Sequence, residues 1–430
     1  MQNKKLVIAL IALIIFCGSI VAQNRTFSPY SRYGFGDIQG TSIGRGQGMG
    51  GTGIAQRSRF SLNDLNPAGI SAMDSMSFVF EGGISYLKQD ISSSSESATF
   101  KNGTFDFFAF GFPLSKKFFT SIGFKPYSGV GYNILTLSHP ADSIDAQRNK
   151  ATGEGTVTKA FLAIAFKPFE NFSVGVNVGY LFGTQKHFSY TDYPNESYAL
   201  KYGSLRTVSV SDLTLDFGAQ YTYALKEKQR LIIGATLRPQ SSLSGDVTNV
   251  VESGSNFDYT GGIFSRGDTL KSSTVSLKSS GSKLPLQLGI GLTYEIQDKL
   301  STSIDYTTGF WSKTPFYESE TSLKNSHHIA CGAEFIPNEL KTDNLLMRLR
   351  YRLGTYYKKE YLVLNGYQLE DYGVTVGLGL PMIRSKNSVN ISVDYGVRGT
   401  TNYGLLKENY FKINLNISMQ ELWFAKRKFN

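Results

Sequence analysis

The clearest signal in the chain is alternation. Phe411, Ile413, Leu415, Ile417 and Met419 alternate with Lys412, Asn414, Asn416 and Ser418 without exception. A period of two sends successive side chains to opposite faces of an extended strand, and a helix cannot use it. The same alternation runs through 172–182 (Phe, Val and Tyr against Ser, Gly and Asn), 213–223 and 389–398. Each run is about ten residues long, which is what a tilted strand needs to cross a bilayer. Tyr and Phe gather towards the ends of the runs, as they do at membrane interfaces.

Extending the count predicts about fourteen strands. They start near Met76, Thr104, Phe118, Thr156, Phe172, Val208, Leu231, Lys283, Leu300, His327, Leu345, Tyr372, Val389 and Tyr410. The connections sort by length. Those at 113–117, 168–171, 226–230, 297–299 and 384–388 are short. Longer polar stretches lie around 92–97, 141–153, 190–202 and 241–272. Outer-membrane barrels combine tight periplasmic turns with long external loops in this way. A soluble sandwich also alternates but has no reason to sort its loops. The expected fold class is all-β: a transmembrane antiparallel β-barrel of about fourteen strands, with an N-terminal hatch inside the lumen. An even strand number returns both termini to the periplasm.

The first residues read differently. Lys4 and Lys5 precede an unbroken apolar run from Leu6 to Phe16, of signal-peptide length and short for a membrane span. Cleavage is expected after Ala22. Cys17 would suit a lipoprotein only with a small residue before it, and Phe16 is bulky. The expected division is a signal peptide at 1–22, a hatch at 23–75, a barrel at 76–420 and a basic aromatic periplasmic tail at 421–430. That tail contains Trp423, Phe424 and Phe429, beyond the last strand, where many outer-membrane proteins already end.

Composition fits this reading. Charged residues are 18% and aromatics 13%, with 25 Tyr, 30 Phe and 44 Gly. Low charge with high aromatic and glycine content is what strands half in lipid and half in water produce. After cleavage one cysteine remains, Cys331, so no disulfide framework forms within the chain. The net charge of +10 would raise nucleic acid as a partner for a cytoplasmic protein. Export removes that reading, and the basic surface is expected to face outer-membrane lipid and the phosphates of outer-leaflet glycolipid.

About fifty residues without strand pattern precede the first strand. Gly44-Arg45-Gly46-Gln47-Gly48-Met49-Gly50-Gly51-Thr52-Gly53 is too rich in glycine for a stable helix. It lacks the Lys-Ser/Thr pair of a phosphate loop. Glycine permits close backbone approach, which suits a segment threaded through a barrel. Ile54-Ala55-Gln56 follows, then Asn66-Pro67-Ala68-Gly69 just before the first strand. From Gly48 to Ile70 the chain resembles the outer-membrane long-chain fatty acid channel family (FadL-like barrels), in a Bacteroidota-type variant. That resemblance implies fourteen strands, and it places Asn66, Pro67, Ala68 and Gly69 in a hatch that plugs the lumen. The lead-in Leu62-Asn63-Asp64-Leu65 and the opening Ser28-Pro29-Tyr30-Ser31-Arg32-Tyr33-Gly34 depart from the family pattern. Read without the resemblance, Asn66-Pro67 is an Asx-type turn before the strand.

Candidate chemistry is sparse. The four histidines are His139, His187, His327 and His328. The pleat directs Cys331 and His328 to opposite faces, so no shared metal or nucleophile site is expected there. No catalytic residues, cofactor or metal are assigned. Arg348, Arg350 and Arg352 alternate with Met347, Leu349, Tyr351 and Leu353, so all three are expected to face the lumen. They would pair with acids such as Glu334, Asp371, Asp394, Asp37, Asp64 or Asp74, or bind an anionic head group. Strands two and four are apolar on both faces, which puts Phe107 and Phe161 in the lumen. They would line the path of a hydrophobic ligand or pack against Met49, Ile54, Phe60 and Leu62. Two functions follow: passage of hydrophobic, fatty-acid-like molecules across the outer membrane, or a non-transporting barrel subunit of a protein assembly or secretion complex, with outer-membrane or periplasmic protein partners.

Overall fold

The computed structural model describes residues 25–422 apart from Thr41, 139–146, 194, 197–198, 255–267, 317–321, 339–343 and 383–386. The expected signal peptide, His139 and the tail beyond Leu422 lie outside the described residues. Fourteen strands pair antiparallel, each with its sequence neighbours, and the last pairs with the first to close a barrel. They are β1 Ser77–Ser92, β2 Ser97–Pro113, β3 Phe118–Ser138, β4 Gln147–Phe169, β5 Phe172–Asp192, β6 Lys201–Lys226 and β7 Gln229–Arg238. The ring continues with β8 Gln287–Ile296, β9 Leu300–Gly309, β10 Ser326–Phe335, β11 Arg350–Leu364, β12 Tyr367–Pro381, β13 Ser388–Gly399 and β14 Lys407–Leu422. No helix among the described residues is long and apolar enough to cross a membrane. The strands do the crossing, and closure leaves no ladder edge in the hydrocarbon among the described residues apart from one seam between β2 and β3.

Alternation sets the faces as expected. Leu415 and Ile417 are exposed on the outer wall, while Asn414, Asn416 and Ser418 are buried inside. On β10, Ile329 and Phe335 face outward with Cys331, whereas His328 and Glu334 face the lumen. Asn416 does not meet an open lumen, however. Its Nδ2 donates to Gln47 Oε1 at 2.8 Å, so the N-terminal segment covers it.

Three expectations need correction. Residues Leu345–Arg348 form one helical turn capped by Asn344, and β11 begins only at Arg350. Arg348 is therefore not in the strand row of Arg350 and Arg352, although it is buried. The reason is local: Asn344 Oδ1 accepts from Leu346 N at 3.0 Å, offering the backbone a turn in place of a ladder. Strand eight begins at Gln287, because Lys283–Leu284 pairs separately with Ser241–Ser242. Some strands are also much longer than the expected length of about ten residues: β4 runs 23 residues and β6 runs 26. Much of the expected long external loops is strand continuing above the membrane. A hairpin, Gly245–Gly254 with Asp268–Ser276, extends that tall wall from β6. The opposite strands β7 to β10 have ten residues each, so the outer rim is high on one side and low on the other.

Tyr180 and Phe182 on β5 stack at 5.8 Å on the lipid face and mark the outer interface. Their ladder partners lead across β4 to Phe124 and Pro126 on β3. Leu137 lies eleven residues further along β3 and is exposed. Leu415→Arg should destabilise the barrel by roughly 2–4 kcal/mol, as for a lipid-facing charge near the midplane. Leu137→Arg should cost less than about 0.5 kcal/mol, as for an ordinary surface change. Reversible unfolding in lipid vesicles reads both, and equal losses would contradict this placement of the membrane.

Candidate functional site

The lumen is occupied by the N-terminal segment. Its first descent is the turn Gly44–Met49, ended by Gly50 and Gly51 at φ 68° and 82°, a region that favours glycine. This turn lies directly on the wall. A Cβ on Gly354 would come within 2.1 Å of Gly50 N, and one on Gly332 within 2.3 Å of the Met49 carbonyl oxygen. A Cβ on Gly377 would stand 3.0 Å from Gly48 Cα. Glycine in the plug thus meets glycine in β11 and β12, and Met49 meets glycine in β10. Gly50 N then donates to Thr375 Oγ1 at 2.8 Å, and Met49 is fully buried.

Next, the Asp305 carboxylate of β9 accepts from Gly53 N at 2.7 Å and Ile54 N at 2.8 Å through one oxygen. Below it, Asn66 caps the turn Pro67–Ala72: its Oδ1 accepts from Ala68 N at 3.0 Å. The Asn66 Nδ2 donates to Ile54 O at 2.7 Å and reaches Ala219 O at 3.2 Å. Pro67 and Ala68 rest on Gly175, and Asn66 on Gly218, where a Cβ would again collide. Gly69 packs on Asn63. The Asn-Pro-Ala-Gly stretch is both the turn read from its local sequence and a docking element against β5 and β6. Arg57 is tied by Ser173, Gln220 and Ser71, and burial lowers its guanidinium to about 10.

Phe107 and Phe161 do face inward. They share a buried cluster with Ile43, Leu62, Ile70 and Met73 of the N-terminal segment. A bulge after Gly83 inserts Asp106 and lets both Asp106 and Phe107 point inward. Arg352 Nε donates to Glu334 Oε2 at 2.6 Å and NH1 to Asn390 at 2.7 Å. Glu334 also pairs with Arg45 of the plug at 3.2 Å. The Arg350 guanidinium lies 5.7 Å from the centre of the Phe60 ring. The aromatic and arginine sets are not brought together. β4 lies seven strands from β11 in either direction round the ring, and plug residues Ile43 and Arg45 stand between them.

The opening residues, which had no family counterpart, fill the upper lumen. Leu406 N donates to the Tyr30 hydroxyl at 2.9 Å, and the hydroxyl donates to the Leu406 carbonyl; burial pushes this phenol up to about 12. Ser28 Oγ donates to Glu408 at 2.5 Å. Arg398 pairs with Glu360 at 2.7 Å, Asp37 at 3.5 Å and Glu408 at 3.7 Å. Phe35 joins a second buried cluster with Tyr127, Leu181 and Leu243. No sequence signal marked these roles, because each depends on strands up to 380 residues away.

One seam interrupts the wall. β2 and β3 pair only from Phe108–Phe124 to Pro113–Phe119. Beyond it β3 bulges at Pro126–Ser128 and turns inward, where Ser128 and Gly129 pair with Ile38 and Asp37. Arg25 and Phe27 occupy the gap. Arg25 donates to the Phe105 carbonyl and pairs with Asp106 at 3.0 Å, while Phe27 stacks on Phe100 at 5.0 Å. Beside the seam remains a cavity of 340 Å³ lined by charged groups of both signs, among them Lys125, Lys159, Asp216, Arg238, Lys358 and Asp371.

Gly354→Ala should disturb the plug seat and cost about 1–3 kcal/mol, as overpacking does. Gly82→Ala, whose new methyl would meet nothing closer than 3.6 Å, should be near neutral. In a Cys331→Ser background, Met49→Cys should resist a bulky thiol reagent and become reactive when Gly354→Ala is added. Fast labelling without that second change would place the segment outside the barrel.

Several solved structures share this architecture. The Ralstonia pickettii toluene transporter TbuX aligns with a TM-score of 0.59 at 16% identity, covering 87% of this chain and 97% of its own. The Pseudomonas putida toluene transporter TodX gives 0.58 at 14%, covering 91% and 99%. A Pseudomonas aeruginosa FadL homologue gives 0.56 at 13%, covering 90% and 99%. At such identities the likeness is one of fold: a FadL-like outer-membrane barrel. No curated protein matches the chain. The BamG family profile matches residues 2–430, and this chain belongs to the BamG family.

Proposed function

We propose that this protein is a permanently plugged, non-transporting barrel that serves as the membrane-embedded subunit of an outer-membrane protein assembly or secretion complex. The observation that carries the reading is the seating of residues 44–72 on the wall. Of the aromatic residues that the sequence offers to a hydrophobic ligand, Phe107 is covered by the plug, and Phe161 packs in the same buried cluster and leaves only a small part of its surface on the charged cavity. Arg352, offered to its head group, is neutralised by Glu334. Withdrawing the plug would take Arg45 from Glu334, Asp64 from Lys125 and both backbone donors from Asp305, and breaking a buried pair typically costs about 3–5 kcal/mol. The tall wall of β3 to β6 with its hairpin then supplies the surface for partners.

A second reading is passage of hydrophobic small molecules, fatty acids among them, from the lumen through the β2–β3 seam. The seam favours it, as does the fold shared with toluene transporters. Against it stands the charged lining of the remaining cavity, which a hydrocarbon would have to desolvate.

Mild-detergent purification from native outer membranes separates the two. The subunit reading expects other outer-membrane proteins in fixed ratio with this chain, and no uptake of toluene or fatty acid by vesicles containing it alone. Uptake that rises when Arg25→Ala loosens the seam, with no co-purifying partner, would establish passage instead.

A further inference from the structure

Charged residues that face each other across neighbouring strands of this barrel are mostly opposite in sign. Glu334 faces Arg352, Asp371 faces Arg398, Asp394 faces Lys412, and on the outer wall Lys359 faces Glu370. Lys125 and Lys159 face each other inside, but Asp64 and Asp216 answer them separately. The outer wall holds one exception among the described residues, with a single carboxylate near two ammonium groups. Lys88 of β1 and Lys101 of β2 are direct ladder partners, and like charges in that position repel. Asp90 lies 3.4 Å from Lys88 and also accepts from Thr99. Lys101 makes no ion pair among the described residues.

Position gives this pair a meaning. Beneath it on the same face lie Ile84, Tyr86 and Phe105, with Phe105 packed on Phe124 at 5.3 Å. The lysines therefore stand where the apolar band ends. Between Lys101 and Phe105 sits Gly103, where a Cβ would meet nothing closer than 4.0 Å, leaving an open notch. β2 has no ladder partner on its β3 side above Phe108. The Phe105 carbonyl points into that seam, taken by Arg25. By the two-residue period of the strand, the backbone groups of Gly103 and Lys101 point there too, on the side where β2 has no described ladder partner.

We propose that Lys88, Lys101 and the open β2 edge at Gly103 bind the phosphate of an outer-leaflet glycolipid. The phosphate would bridge the two ammonium groups and accept from the edge amides, and the acyl chains would descend over Ile84, Tyr86 and Phe105. This depends on the barrel and its membrane placement, not on whether the lumen passes a ligand.

The test uses the purified full-length mature chain, stripped of lipid and followed by native mass spectrometry. The probes are a diphosphorylated acylated glucosamine disaccharide, the same glycolipid after phosphatase treatment, and inorganic phosphate. One phosphorylated glycolipid should bind per chain, at least tenfold more tightly than the dephosphorylated form. The double variant Lys88→Gln, Lys101→Gln should lose that preference, while Lys359→Gln, whose partner is Glu370, should keep it. Retained heat-modifiable migration would show that each variant is folded. Equal binding of both glycolipids, or an unaffected double variant, would overturn the proposal. Displacement by low millimolar inorganic phosphate would overturn the lipid assignment in favour of a free-anion site.

Discussion

The structure depends on how closely two backbones approach inside the barrel. Met49 and Gly50 touch the main chain of β10 and β11, Pro67 touches β5 and Ile54 touches β7, each at a wall position that carries no side chain. Glycine in a strand interior weakens it by roughly 0.5–1 kcal/mol. The wall accepts that loss at Gly175, Gly218, Gly234, Gly332 and Gly354 because these positions are the floor of the plug. A plug without regular structure must find partners for its backbone groups elsewhere. Asp305, Thr375, Asn63 and Asn66 supply them.

The charges follow from the same confinement. Arg45, Glu334 and Arg352 form a chain from plug to wall, as do Asp64 with Lys125 and Asp37 with Arg398. Ion pairs of this kind add little net stability, since desolvation offsets much of the attraction. They do make partial withdrawal of the plug costly, because each step leaves a charge unpaired. Apolar contact through Phe107 and Phe161 adds attraction without direction, and the ion pairs fix where the segment sits.

The inward turn of β3 is the other structural decision. Antiparallel pairing with β2 stops at Phe124, and the freed edge of β3 is taken up by Asp37, Ile38 and Ser31 of the N-terminal segment. The segment is thus a plug below and part of the wall above. This explains why Arg25 and Phe27, at its start, lie at the level of the membrane and not in the periplasm.

The sequence by itself determined the strands. Period-two alternation over runs such as 411–419 has one physical solution when one face meets lipid, and the starts of β1, β3, β5, β9 and β13 fall within a residue of those read from it. Inward placement of Phe107, Phe161 and Arg352 followed from the same period. What the alternation could not express was decided by tertiary contact. Arg348 alternates correctly yet lies in a turn, because a short side-chain cap at Asn344 competes with the ladder. The upper strands read as loops, because above the membrane no lipid demands an apolar face and the pattern fades. The lumen looked available to a ligand because each inward residue was read on its own strand. Only the closed ring, which places β4 opposite β11 with residues 43–45 between them, shows those side chains already committed to the plug or to one another.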